Sequence, residues 1–123
     1  MKDEQLLRFS RQIMLPEMDV AGQQKLVDAT VLVVGMGGLG CPAAMYLSAA
    51  GVGHLIIADD DSVELTNLQR QIAHSQSNLG EEKVSSAEQT LVGLNSEVKI
   101  TSINSRLQKD SLNGAVKQAD VVV

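Results

Sequence analysis

The segment Gly35-Met36-Gly37-Gly38-Leu39-Gly40 carries the plainest chemical meaning in this sequence. Its spacing is G-x-G-x-x-G. The first glycine permits a tight turn, the second lets a phosphate approach the backbone, and the third lets a helix lie close to a strand. N–H groups at the opening of the helix that follows then bind an anion. Asp59 stands about 20 residues on, where a carboxylate accepts the hydroxyls of a ribose. It opens the run Asp59-Asp60-Asp61, so each of the three is also readable as a solvated turn acid or a cap. Thr66-Asn67-Leu68-Gln69-Arg70-Gln71 adds a guanidinium, whose planar fork matches phosphate oxygens, and in Asn67 a hydrogen-bond donor. Lys83 offers a second positive charge. Taken singly, Arg70 is equally a surface ion-pair partner, and Lys83 a solvated residue beside Glu81 and Glu82. A cation in a helix's first turn opposes the macrodipole, and that misfit favours a role for Lys83.

The glycine turn does not choose its nucleotide, because NAD and ATP sites share it. Arg70 supplies the discrimination. A nicotinamide site has no need of a guanidinium there, whereas a triphosphate does, as charge builds on departing pyrophosphate.

These residues need a scaffold, and the apolar pattern predicts one. Residues 3–15 read as a helix with Leu6, Leu7, Phe9, Ile13 and Met14 apolar, stopped by Pro16, and residues 21–28 as a second. Residues 30–34 are a short β-branched run, the mark of a strand buried on both faces. A helix over 39–50, a strand over 54–58, a polar and irregular stretch over 62–79, and a helix over 81–94 follow. A strand over 98–103, a weak helix over 112–118 and a strand starting at 120 complete the pattern. Alternation of this kind predicts an α/β fold: a Rossmann-like parallel sheet with helices on both faces. An N-terminal helical segment (1–29) precedes a nucleotide-binding domain (30–123). The chain stops within an apolar run, so it is expected to be a truncated piece of a longer protein, incomplete at its C-terminal side.

Composition narrows the classes. Ten basic residues against 15 acidic give −5, which disfavours a surface that tracks nucleic-acid phosphates. Phe9 and Tyr46 are the sole aromatic rings, too few to stack single-stranded bases. Cys41 is the only cysteine, which excludes a disulfide framework and a zinc set. It sits where a helix N-terminus favours a thiolate, yet a small packing residue is the better reading. His54 and His74 are expected to be structural or exposed, and two histidines make no metal site. No signal peptide or membrane-spanning run is visible, so a cytoplasmic protein with no membrane partner is expected.

Arg8-Phe9-Ser10-Arg11-Gln12-Ile13, Gly35 to Gly40, Ala50-Gly51-Val52-Gly53, Asp59-Asp60-Asp61, Asn67-Leu68-Gln69-Arg70-Gln71 and Lys83 together resemble the bacterial relatives of the ubiquitin-activating enzymes. These are the adenylyltransferases of molybdopterin-synthase and thiamine-biosynthesis sulfur carriers. The resemblance runs from about Arg8 to the last residue. It implies ATP contacts from Gly35, Gly37, Gly38, Gly40, Asp59, Lys83 and the stretch Thr66, Asn67, Leu68, Gln69 and Arg70. Arg70, Lys83 and Asn67 would act on the reacting phosphates, and Arg11 would reach from one subunit into its neighbour's active site. The implied partners are a ubiquitin-like carrier ending in Gly-Gly and a second copy of the chain. The implied cofactors are ATP and Mg²⁺, whose aspartate ligand is expected beyond Val123, with zinc only in the longer parent. The parent would be an enzyme, and this piece inactive by itself. Leu94-Asn95-Ser96 departs from the family's usual Leu-Asn-Pro. Two rival readings remain at this level: an NAD-binding oxidoreductase domain, which needs only the glycines and Asp59, and a non-catalytic nucleotide-binding module.

Overall fold

Residues 1–123 are all described in the computed structural model. The chain runs through helices α1 (Asp3–Arg8), α2 (Ser10–Ile13) and α3 (Asp19–Asp28), then strand β1 (Thr30–Val34), helix α4 (Gly40–Ala50) and strand β2 (His54–Ala58). Two single 3-10 turns, Leu65–Asn67 and Gln76–Asn78, lead to α5 (Lys83–Leu94), β3 (Lys99–Ile103), α6 (Lys109–Gln118) and β4 (Val121–Val122). The four strands make one sheet in the order β3-β2-β1-β4, every pairing parallel. In the central pair Thr30 lies opposite His54 and Val34 opposite Ala58.

The continuous apolar runs have the cause expected of them, because the central strands are covered on both sides. Val31, Val33, Leu55 and Ile57 point to α4 and α5, where Ala44, Val84, Ala87 and Leu91 complete the main core. Leu32 and Ile56 point the other way, to Ala115 on α6. The observed architecture is the Rossmann-like α/β fold read from the sequence. Since all strands are parallel, the C-terminal ends of β1, β2 and β3 open on one edge, the edge where such sheets take ligands. No helix is long and apolar enough to cross a membrane.

Two departures from the expected elements bear on the site. The single helix over 3–15 is broken at Phe9, which leaves helical geometry (φ −101°, ψ 15°). Its ring is buried against Gly51, where any Cβ would collide with it, and that docking takes precedence over helix continuity. Leu7 and Met14 consequently stay 77% and 80% exposed. The second departure is the start of α5, two residues later than expected. Residues 61–63 and 81–83 pair side by side: Val63 N–H donates to the Glu81 carbonyl (2.8 Å) and Lys83 N–H to the Asp61 carbonyl (3.0 Å). Pairing with the aspartate run thus places Lys83 as the first residue of α5.

Candidate functional site

The site begins where β1 gives way to α4. Gly35 adopts φ +93°, a conformation that side chains disfavour. At Gly40 a Cβ would overlap the Gly35 carbonyl, so the close strand–helix approach requires glycine there. Between them the backbone is held from behind. Met36 N–H donates to Asp59 Oδ2 (2.7 Å), and the Met36 carbonyl accepts from Cys41 Sγ (3.2 Å) and His74 Nε2 (3.1 Å). The N–H groups of Gly37, Gly38, Leu39 and Gly40 donate to no acceptor in the protein. Four free donors at the start of an 11-residue helix make an anion cradle.

Arg70 comes to this cradle. Its Nη1 lies 3.3 Å from where a Gly38 Cβ would stand, so a side chain at Gly38 would press on the guanidinium. No carboxylate pairs with Arg70, for the single ion pair in the structure is Lys83–Asp61. The surface ion-pair reading of Arg70 is therefore set aside. Asn67 sets where Arg70 sits: its carbonyl accepts from the N–H groups of Arg70 (3.2 Å) and Gln71 (2.8 Å), and its Oδ1 accepts from Glu64 N–H (3.0 Å). Thr66 and Gln69 are exposed and Leu68 is half-buried. Lys83 is 6% exposed, with Nζ 3.6 Å from Asp61 Oδ2, so it is not the solvated helix residue of the alternative reading.

Beside the cradle, a cleft of about 280 Å³ opens over the ends of β1 to β3, lined by Gly35, Ala58, the three aspartates and Ser105-Arg106. Asp59 lines it while already committed to backbone, its Oδ1 accepting Asp61 N–H (2.8 Å) and its Oδ2 Met36 N–H. Each carboxylate oxygen has a second lone pair for a ribose hydroxyl. The site thus has an acidic floor beside a rim that carries Arg70.

Arg11 is not brought to this cluster. Its neighbour Gln12 donates to the Ala50 carbonyl (2.9 Å), at the far end of α4. That is about 15 Å from the glycine turn at 1.5 Å per residue. Arg11 cannot serve the glycine turn of its own chain. Residues the sequence reading passed over also reach the site. Arg106 and Ser105 had no motif to mark them, although parallel topology sends whatever follows β3 to the same edge. Gln71, 2% exposed, points Nε2 toward Gly37, 3.8 Å from where its Cβ would be, and leaves its buried Oε1 without a partner.

Cys41 is fully buried, and burial raises its thiol above the ordinary range. That fits a packing residue rather than a nucleophile. His54 lies away from the site, its Nε2 2.8 Å from Thr101 Oγ1. The carboxylates of Asp59, Asp60 and Asp61 bring oxygens within 4.8 Å of one another, close enough to share a cation, although Asp59 also accepts from two backbone N–H groups and Asp61 lies 3.6 Å from Lys83 Nζ. One cysteine cannot hold zinc.

Comparison with known proteins adds to this geometry. The model described as the ThiF family matches residues 9–123. The chain is 47% identical over its whole length to the sulfur carrier protein ThiS adenylyltransferase of Escherichia coli K12 and 45% identical to the molybdopterin-synthase adenylyltransferase of Salmonella typhimurium LT2. It spans about half of each relative, 49% of their length. Among solved structures, E. coli MccB with ATP superposes with a TM-score of 0.81 at 30% identity, over 94% of this chain and 35% of that one. Both named relatives are adenylyltransferases, and the oxidoreductase alternative is not favoured. With the match covering all but the first eight residues, the chain belongs to the ThiF family.

Proposed function

We propose that this chain is the ATP-binding part of an enzyme that adenylates the C-terminal glycine carboxylate of a ubiquitin-like sulfur-carrier protein, in the cytoplasm. The carrier's carboxylate oxygen attacks the α-phosphorus of ATP. The bond from that phosphorus to the bridging oxygen breaks, and pyrophosphate leaves with the electron pair, giving an acyl-adenylate. Such a reaction needs positioning and charge stabilisation, not a proton-transfer group. Asp59 holds the ribose in the acidic cleft. The free N–H groups from Gly37 to Gly40 hold phosphate oxygens, and Arg70, Lys83 and Asn67 take up the charge of the leaving pyrophosphate. Arg11, too distant within one chain, acts from a second copy in a homodimer.

The observation that supports this reading best is Arg70: an unpaired guanidinium lying over the second half of a glycine turn whose amides are free. Magnesium, as the family resemblance implies, would be held by an aspartate beyond Val123. The test is exchange of labelled pyrophosphate into ATP by the whole protein, supplied in turn with the thiamine and the molybdopterin sulfur carriers. Exchange dependent on one carrier's intact Gly-Gly end is the expected result and names the pathway. ATP turnover indifferent to every carrier would sink the proposal.

A further inference from the structure

We propose that His74 is a positioning residue for nucleotide binding: it holds the Met36 carbonyl inward and so aims the Gly37 N–H at the phosphates. This inference rests on the ATP-binding reading above. The Met36 carbonyl and the Gly37 N–H belong to one planar, trans peptide, and they point in opposite directions. Whatever fixes the carbonyl therefore fixes the amide.

The carbonyl is fixed from two sides. His74 Nε2 lies 3.1 Å and Cys41 Sγ 3.2 Å from the Met36 oxygen, and both side chains are buried. A carbonyl only accepts, so Nε2 carries a ring hydrogen. Nδ1 faces the Ser86 hydroxyl at 2.8 Å; a hydroxyl suits either tautomer, so the Met36 carbonyl places the hydrogen and Ser86 holds the ring's orientation. Ser86 stands in the first turn of α5, the helix that Lys83 opens, and Thr90 of the same helix donates to the Ala73 carbonyl (2.6 Å). One helix thus carries both the buried cation and the prop behind the turn. Burial keeps the Cys41 thiol protonated and able to donate.

A lock is needed at this peptide because the residue after it is glycine. Gly37 tolerates both orientations of the preceding peptide; turned over, the Met36 carbonyl would face phosphate oxygens and repel them. Here the three groups that anchor Met36 (Asp59 on its N–H, His74 and Cys41 on its carbonyl) converge on the residue that precedes the free amides.

The experiment compares His74→Leu, which removes the donor, with His74→Gln, whose carboxamide nitrogen restores one near the imidazole Nε2. Both are made in the whole protein, with melting temperature followed throughout. Loss of a hydrogen bond that orients a ligand-binding group should raise the ATP KM of folded His74→Leu about tenfold. The carrier KM should be unchanged, and His74→Gln should recover most of the loss. A structural histidine would lower the melting temperature in both variants and leave the ATP KM alone; an ATP KM within twofold of wild type in folded His74→Leu overturns the inference. If that variant does not fold, Ser86→Ala, which removes the second hydrogen bond holding the ring, should raise the ATP KM about threefold, and an unchanged value there overturns it equally. Wild-type protein that ignores ATP would instead remove the parent reading.

Discussion

The two ends of α4 are built on opposite principles. At its C-terminal end three of the four carbonyls that a helix leaves unpaired are taken up by the protein, and the fourth, on exposed Ala49, faces solvent. Ala50 accepts from Gln12 (2.9 Å) and Gln23 (3.0 Å), Ser48 from Asn95 Nδ2 (3.1 Å), and Leu47 from Val52 N–H (3.1 Å), with Gly51 left-handed at φ +105°. At the N-terminal end four N–H groups donate to nothing, while polar side chains are spent on Met36 behind them. Equal numbers of orphan groups arise at both ends of any helix. Where they are capped, the sequence serves stability; where they are left free, they can serve a ligand.

That contrast predicts effects of different kinds at the two ends. The largest belongs to Arg70, which completes the open end. Arg70→Ala should slow pyrophosphate exchange about a hundredfold to a thousandfold, the usual cost of removing a group that meets developing charge. Its melting temperature should stay at the wild-type value, since the side chain is exposed and pairs with no carboxylate. Unchanged exchange would take Arg70 out of the mechanism and leave the open end without its main cation. Gln23, at the capped end, should behave in reverse. It is fully buried, accepts from Gln12 Nε2 (2.8 Å) and donates to Ala50. Gln23→Leu should destabilise the fold by about 1–3 kcal/mol in chemical denaturation, the range for a buried polar group left partly unpaired. The ATP KM should not move; a shift above threefold would mean that the two ends are coupled through α4 and that the contrast is false.

Legibility in the sequence followed the same division. The open end was readable because its parts are consecutive: Gly35 to Gly40 declare the turn, Val31 to Val34 the strand before it, and Asn67 to Arg70 the cation that returns to it. Each is a local pattern with a local physical cause. The props were not readable, since Cys41 and His74 meet on one carbonyl, with Ser86 behind the imidazole, only through tertiary packing across 45 residues of chain. Nothing in the spacing of a lone histidine distinguishes such a prop from a core filler. Lys83 was half legible. Its place in a helix's first turn was visible, but its burial depends on the pairing of residues 61–63 with 81–83, two stretches without β-type alternation. The N-terminal segment misled most, because Leu7 and Met14 have core-like identities and no cover within this chain.

The smallest predicted effect tests the capped side by pH. His54 opens β2 at the edge of the sheet opposite the site, between Thr101 Oγ1 (2.8 Å) and Thr30 Oγ1 (3.4 Å) and opposite Lys99 in register. Burial, and then the neighbouring Lys99 charge, lower its pKa below the ordinary 6.5. The unfolded chain titrates near that ordinary value, so below it the unfolded state binds a proton that the folded state resists. Stability from neutral His54 is therefore complete above about 6.5 and declines as pH falls toward the folded pKa. Wild-type protein should lose stability relative to His54→Gln between about pH 7.5 and 5.5, while the two bind ATP alike at pH 7.5. Parallel stability profiles would show that the ring is not desolvated as its position implies. A matching pH dependence in ATP affinity alone would move His54 from the structural side of the molecule to the functional one, although it lies a full strand length from the glycine turn.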